Sequence, residues 1–471
     1  MSWTNLAGIG SCSPKVLFQT SSTSGLTNFI KSLYDATTEK SNRSCRFAGA
    51  AKSPNACTFA PTIVQMTLFD KILHIDKKEK RITCEGGVLM RTLMEVLDRE
   101  GLMLKCVPSY VETTVAGCLA TATHSSGLDT HSLCDYVVAL TLIDGTGQTR
   151  EFHEDQDRQR LRTAACHLGV LGAVVQVTLQ AEEKSVWHLH SRPVSIAHAV
   201  KHSLQLTNVQ KHEYYRLWWV PHTRMCYHSF GKRVDLANPV IKGQYRAHEK
   251  QKKSIWYRLG AALRGDWLRH TVVQRCLWLT SFFPCLQPLV NKLYRRAFYS
   301  SAQTQFGSAL ECFTFDCLFK QWANEWAVDA ASAPEVLRRL QDMIEKDNLH
   351  LHFPIEFRFS GADETLLSPA AGRQTCWVGV VMYRPLGREA PDTIRCYNRF
   401  CELMTAMGGR PHWAKYYQWG EKEMERAYGE NWSAFLRLRA ELDPKDIFVN
   451  EWFNNLLSLT PGNSTRSNMN D

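Results

Sequence analysis

Thr114-Val-Ala-Gly-Cys-Leu-Ala-Thr-Ala-Thr-His-Ser-Ser-Gly127 is a run of small residues and hydroxyls, and its reading decides the fold. Residues without bulk let a backbone press along a flat ligand, while hydroxyls and amides meet phosphate oxygens, so the run suits a dinucleotide. A second stretch of the same texture, Phe47-Ala-Gly-Ala-Ala-Lys-Ser-Pro-Asn55, lies upstream. With Lys52 it reads either as an anion nest for a pyrophosphate or as a plain turn before Pro54. Working outward, Ile63 to Leu68, Ile72 to Ile75 and Arg81 to Gly87 read as consecutive strands. Leu89 to Glu100 has helical apolar spacing and ends at Gly101. Val137 to Ile143, followed by Asp144-Gly145, enters a hairpin, and His167 to Leu179 is a helix end running into a buried strand. The first 180 residues thus alternate short strands and helices around Gly-rich joints.

Composition sets the class. A chain of 471 residues with 44% hydrophobic and 22% charged residues is globular and long enough for two or three domains. Its formal charge of +10 favours anionic ligands or acidic lipid headgroups, but no nucleic-acid-binding module is recognisable. The 16 cysteines are scattered without Cys-x-x-Cys or zinc-like spacing, and no metal site is expected. The start, Met1-Ser-Trp-Thr-Asn, lacks the basic residues and apolar run of a secretory signal. Reduced thiols in an intracellular protein are therefore expected.

Two C-terminal motifs carry candidate chemistry. In Glu356-Phe357-Arg358, alternate residues of a strand share one face, placing a carboxylate beside a guanidinium. Gly408-Gly-Arg-Pro-His-Trp-Ala-Lys415 adds a histidine, an indole and an ammonium within four positions. Together these groups would grip a polyhydroxylated substrate and stabilise an alkoxide forming on it. By spacing alone, a surface ion pair and a core tryptophan account for the same residues.

Taken in order, these runs resemble the aldonolactone oxidoreductases of the vanillyl-alcohol oxidase flavoprotein superfamily. The matching runs are Gly49 to Asn55, Thr114 to Gly127, His167 to Leu179, Pro354 to Pro369, Met382-Tyr-Arg-Pro385, Gly408 to Lys415 and Leu442-Asp-Pro444. The resemblance implies an α+β, two-domain FAD-binding fold. It places an FAD domain over residues 1–180 and a substrate cap over 181–460 returning at its end to the flavin, while the polar stretch 461–471 reads as a disordered tail. It implies oxidation of an L-galactono-, L-gulono- or D-arabinono-1,4-lactone at C2, with O2 as acceptor giving H2O2 and ascorbate or an analogue. The rival readings are a dehydrogenase passing electrons to cytochrome c or a quinone, and a catalytically quiet flavin-binding protein.

Carried over residue by residue, the resemblance makes Arg358 the stabiliser of the developing oxyanion and Glu356 the holder of the lactone hydroxyls. Lys415 falls near the reacting end and His412 supports the site. Gly49, Ala50, Ala51, Lys52, Ser53 and Pro54 fall to the cofactor, as do Pro108, Thr114, Gly117, Thr121, His124, Ser125, Gly127 and Val174.

Three departures from the family pattern matter. Lys52 stands where the family's Gly-His-Ser-Pro carries the flavin-linking histidine; an alkylammonium cannot form that bond, so non-covalent FAD is expected. Pro108 occupies the position that gates oxygen and leans towards an oxidase. Gly379 replaces the histidine base of related alditol oxidases, leaving a carboxylate, Lys415 or water to take the hydroxyl proton.

Lys252 to Phe298 is basic and aromatic, and its uncharged run Cys276 to Val290 is short for a bilayer span and contains Pro284 and Pro288. It reads either as cap-domain core or as a patch docking on an anionic membrane. The microsomal residence of vertebrate-type gulonolactone oxidases supports the second reading by resemblance.

Overall fold

A computed structural model describes residues 2–5, 8, 10–36, 44–254, 263–315, 317 and 319–458. The expected tail 461–471 and part of the basic segment, 255–262, lie outside the described residues. Near the N-terminus, β1 (Val16–Gln19), β2 (Cys45–Ala48) and β3 (Thr62–Gln65) form a parallel sheet in the order β1-β3-β2. The strand expected over Ile63 to Leu68 ends at Gln65. Met66 opens a turn there, with the Phe69 amide donating to its carbonyl at 3.1 Å, and Gly87 packs so close that a Cβ would lie 2.1 Å from the Met66 oxygen.

A five-stranded antiparallel sheet follows: β4 (Ile72–Asp76), β5 (Arg81–Glu85), β6 (Val137–Ile143), β7 (Thr149–His153) and β8 (Ala173–Gln180), in the order β7-β6-β8-β5-β4. Its sequence alternates as a half-buried strand must, with Ile82 and Cys84 inside and Arg81 outside. The helix Met90–Arg99 buries Met90, Leu93, Met94 and Leu97, the i, i+3, i+4, i+7 stripe of an amphipathic helix. It stops before Gly101, whose φ of +77° suits glycine. The 137–143 strand and its hairpin partner, and the strand expected from the 167–179 run, are all present.

The second half builds one eight-stranded sheet. Its strands are β9 (Val186–Ser195), β10 (Tyr214–Trp219), β11 (Met225–Val234), β12 (Gln303–Gly307), β13 (Gln321–Asp329), β14 (Ile355–Ser360), β15 (Thr375–Tyr383) and β16 (Arg410–Pro411). The order is β12-β9-β11-β10-β14-β15-β13-β16, antiparallel throughout. One face packs into the main core, where Ile355, Phe357 and Phe359 are fully buried. The other face carries the polar residues of the site.

Backbone bonds join the two halves. The Gly127 amide donates to the Phe359 carbonyl at 2.7 Å, and the chain end returns so that the Cys45 amide donates to the Ile447 carbonyl at 2.8 Å. Asp443 seats this return. Its fully buried carboxylate accepts from the amides of Ile447 and Phe448, both at 2.8 Å, and burial pushes its pKa up to about 6.

Arg46 clamps the same region. Its guanidinium donates to the carbonyls of Cys57 (2.7 Å), Leu168 (2.7 Å), Gly169 (3.0 Å) and Phe448 (2.9 Å). Burial pulls its pKa down to about 10, still far above neutrality. One side chain thereby holds three segments that are distant in sequence, with charge-assisted bonds that no apolar residue reproduces. Replacing it by methionine removes the donor from the carbonyls of Leu168, Gly169 and Phe448, and leaves that of Cys57 with only the Asn450 side-chain amide at 3.2 Å. Arg46→Met is expected to lower the stability of the fold by about 3–5 kcal/mol, read from urea unfolding, with concomitant loss of bound flavin.

Candidate active site

One cavity of about 350 Å³ runs between the N-terminal sheets and the polar face of the eight-stranded sheet. At one end its wall is largely bare backbone: Gly49, Gly86, Gly117, Gly169 and Gly172 all line it. Side chains are excluded there by close packing, since a Cβ on Gly49 would lie 2.1 Å from Thr114 Oγ1 and one on Gly86 2.4 Å from the Val174 carbonyl. Ala50 to Pro54, Pro108, Thr114, Thr121, His124 and Val174 line the cavity too. Ser125 and Gly127 do not. Both belong to a buried segment in which Gly127 bridges to Ser360, fastening the loop to β14.

Ala51 has φ of +53°, a left-handed conformation that costs an L-residue about 1–2 kcal/mol. The family motif described above would set a glycine here, the residue this backbone favours. His167 closes this end. Its Nδ1 accepts from the Gly169 amide and its Nε2–H donates to the Ala116 carbonyl at 3.1 Å, while burial pulls its pKa down to about 4 and keeps it neutral.

The other end is built by strand register. Trp218, Glu356, Gly379 and Glu325 form one cross-strand row over β10, β14, β15 and β13, and Arg216, Arg358, Trp377 and Ala327 form the next row on the same face. Gly379 has no side chain, so the space above it is shared by the carboxylates on either side. Arg358 spans that space. Its Nε lies 3.2 Å from Glu356 Oε2, its Nη2 donates to Glu325 Oε1 at 2.5 Å, and its Nη1 donates to Ser109 Oγ at 3.1 Å. Arg216 completes an alternating chain of charges, with Nε 3.1 Å from Glu356 Oε1 and Nη2 donating to Ser109 Oγ at 2.8 Å. The Trp218 indole N–H donates to Glu356 at 2.8 Å.

Burial opposes ionisation of Glu325, but Arg358 overrides it and holds that carboxyl well below the usual carboxylate range. Burial likewise opposes ionisation of Glu356, and Arg358 and Arg216 override it there. Against its own burial, Arg358 is held charged by Glu356 and Glu325.

Two histidines border Glu325. His412 Nδ1 accepts from the Ala414 amide at 3.1 Å, so its proton sits on Nε2; its pKa is driven well below the ordinary value by burial and, despite Glu325, by Lys415. His124 lies flat on Trp377, with ring centroids 3.7 Å apart and planes within 7°, and its Nε2 is 3.3 Å from Glu325 Oε1. That spacing would suit an ion pair. Burial and Arg358 nonetheless lower the His124 pKa, so the resting ring is neutral beside the carboxylate. Polar atoms of His124, Glu325 and His412 fall within 4.8 Å of one another, a spacing a cation would accept, but the Arg358 guanidinium already meets that carboxylate. Lys415 lines the cavity as well, anchored by Asn55, whose side chain donates to the carbonyls of Trp413 (2.7 Å) and Lys415 (3.2 Å).

Residues 177–456 match the family described as D-arabinono-1,4-lactone oxidase, and residues 33–153 match the FAD-binding domain. The chain belongs to the D-arabinono-1,4-lactone oxidase family. It is 31% identical to the L-gulonolactone oxidase of Scyliorhinus torazame, covering 95% of this chain and 96% of that protein. It is 27% identical to the L-gulono-1,4-lactone dehydrogenase of Mycobacterium tuberculosis, over 97% and 99% of the two chains. A solvent-stable cholesterol oxidase shares the fold at a TM-score of 0.74 and 16% identity, covering 97% of each chain. As a member of the D-arabinono-1,4-lactone oxidase family, the chain is an FAD-dependent oxidoreductase of the vanillyl-alcohol oxidase fold.

The glycine-walled end fits the FAD of this family. Its backbone would let an extended, flat group approach without intervening side chains, and Lys52 in the same wall would meet negative charge on it. Sequence reasoning placed Glu356, Arg358, His412 and Lys415 together, and all four line the one cavity. It missed Glu325, Arg216 and Ser109. Glu325 is hidden in Gln321-Trp-Ala-Asn-Glu-Trp326, a strand whose alternation does not single out one acid, and only the register with Gly379 shows what it faces.

Proposed function

We propose that this protein oxidises an aldono-1,4-lactone at C2, using non-covalently held FAD and passing the electrons to O2 to give H2O2. The observation that carries this is Arg358, held between Glu356 and Glu325 in the cavity that also contains the glycine-walled cradle. The carboxylates fix the guanidinium, and the guanidinium in turn offers fixed positive charge to a hydroxyl oxygen becoming a carbonyl. Glu356, pinned by the Trp218 indole, accepts from the lactone hydroxyls. FAD, when bound, supplies the two-electron acceptor. Residues to about 180 form the FAD domain and 181–460 the cap. Pro108 beside the cradle supports O2 as acceptor, whereas the relative named a dehydrogenase keeps a second acceptor open as the rival reading.

Anaerobic addition of L-galactono-, L-gulono- or D-arabinono-1,4-lactone is expected to bleach the flavin absorbance, with recovery on admitting air. Bleaching without recovery selects the dehydrogenase, and no bleaching by any of the three overturns the lactone reading. Arg358→Ala is expected to slow bleaching by about 10²–10³-fold.

Lys52 in place of the linking histidine supports non-covalent FAD. On acid precipitation the yellow colour is expected to stay in the supernatant; a yellow pellet sinks this assignment.

We further propose that the cap docks on an anionic phospholipid surface. The segment 267–298 does pack into the core through Val273, Leu277, Tyr294 and Phe298. Its outer side differs. Trp267, Trp278, Leu279, Phe282, Phe283, Leu289 and Leu293, with Leu386 alongside, are 38–61% exposed. From Trp267 to Leu310 the chain has five Arg and Lys and no Asp or Glu. Among the described residues no helix is long and apolar enough to cross a membrane, so the patch supports surface binding. The holoenzyme is expected to float with phosphatidylserine-containing liposomes in low salt and to be released when Phe283 and Leu293 are both changed to Ser. Equal flotation of that variant, or none by the wild type, rejects the surface.

A further inference from the structure

The hydroxyl at C2 must lose a proton as its carbon is oxidised, and the histidine that related alditol oxidases use for this is Gly379 here. Resting on the lactone reading above, we propose that His124, backed by Glu325, is the proton acceptor, reaching the same space from the opposite wall of the cavity.

Besides Lys415 and water, four groups compete for the role, and hydrogen bonding separates them. Glu356 is bound by two arginines and an indole, which leaves little basicity in it. Glu325 has one oxygen within 2.5 Å of Arg358. His412 accepts at Nδ1 from a backbone amide, so its other nitrogen carries the proton and has no lone pair to offer. His124 is the reverse. Its Nδ1 lies 3.0 Å from the Ser125 carbonyl, which can only accept, so Nδ1 carries the proton and Nε2 is bare.

That bare nitrogen has a partner for each of its states. While neutral it accepts from Arg358 Nη2 at 3.4 Å; once protonated it donates to Glu325 Oε1 at 3.3 Å. The stacked Trp377 indole, itself held by its N–H bond to Ser360 at 2.9 Å, fixes the ring plane through the change. The charged and titratable groups facing the ring are Glu325 from β13, Arg358 from β14 and His412 after β16, and Lys415 acts on His412 in turn. Glu325 favours the imidazolium, whereas Arg358 and burial disfavour it. The resting ring is therefore ready to accept.

In the step itself, the substrate O–H bond breaks and its proton joins His124 Nε2. The O–H electron pair becomes the second bond of the C2 carbonyl, while the C2 hydrogen leaves with its own pair to the bound FAD oxidant. Arg358, repelled by the new imidazolium and already poised at the oxyanion, turns its released N–H to that oxygen. Without the carboxylate of Glu325, the imidazolium would be buried beside a guanidinium with nothing to offset it.

The first test does not depend on turnover. In histidine-15N-labelled holoenzyme, the ring signals lost in His124→Gln should report a neutral tautomer protonated at Nδ1, and these signals should titrate at lower pH in Glu325→Gln than in the wild type. A tautomer protonated at Nε2, or titration unmoved by Glu325→Gln, overturns the proposal. The second test is kinetic. His124→Gln, with flavin content and melting temperature as in the wild type, should lower the rate of flavin reduction by about 10²–10⁴-fold.

Because the base must be neutral, the wild-type rate should fall as pH drops through the His124 pKa. Glu325→Gln should move that limb to lower pH, and His124→Gln should remove it. A His124→Gln enzyme within twofold of wild type, or one keeping the acid limb, rejects the assignment. Should His124→Gln fail to fold, Glu325→Gln carries the test through the same shift. If the wild type is bleached by no lactone, the lactone reading has failed, and the tautomer measurement still decides whether His124 is built to accept a proton.

Discussion

Arg358 is the group around which the site is organised. It is buried, and burying a lone guanidinium is prohibitively costly, so its presence requires anions within contact distance. Glu356 on its own strand and Glu325 two strands away supply them, and both reach it because Gly379 on the intervening strand has no side chain. Arg216 and Ser109 then follow as necessary partners. Glu356 would otherwise carry an oxygen without a cation, and the serine hydroxyl ties both guanidiniums to the loop next to Pro108. The network is close to neutral in sum and charged at every point. That combination suits a pocket which must stay folded when empty yet present fixed charge to a reacting oxygen.

Much of the scaffold was legible in the sequence because its signals are local. Alternation in Arg81 to Glu85, the amphipathic stripe of Met90 to Leu97, and the Gly101 stop each depend on neighbours within one or two turns. Glu356 and Arg358 were legible for the same reason, being two apart on one strand. Glu325 was not, because its meaning lies in register: it matters only once β13 is known to pair with β15 opposite Gly379. His124 was visible but attached to the cofactor, since its run is made of residues that suit a dinucleotide. Only its stacking on Trp377 shows the ring turned towards the cap. Ser125 and Gly127, by the same logic, belong to the seam between the two halves, where Gly127 meets β14.

The segment Lys252 to Phe298 was left between two readings, and the two sides of its described part 267–298 differ in the structure. A helix with apolar residues on more than one face can bury only some of them against a sheet edge. Leu277 and Tyr294 go inward while Leu289 and Leu293 remain outside. Arg269 and Tyr294 from this segment also line the cavity that holds Arg358, so the outward apolar surface and the cavity wall share one short stretch of chain.

Arg46 carries a consequence for how the molecule is made. Its guanidinium bonds the carbonyl of Phe448, 402 residues further along. A ribosome presents the arginine long before it presents its last acceptor, and until then one of the four bonds has no counterpart and the Cys45 strand lacks the Ile447 carbonyl beside it. The glycine-walled end of the cavity therefore cannot be finished by the N-terminal half alone. Synthesis must pass Phe448 before the beginning of the chain makes all its bonds, which places a long interval of exposure on the nascent protein.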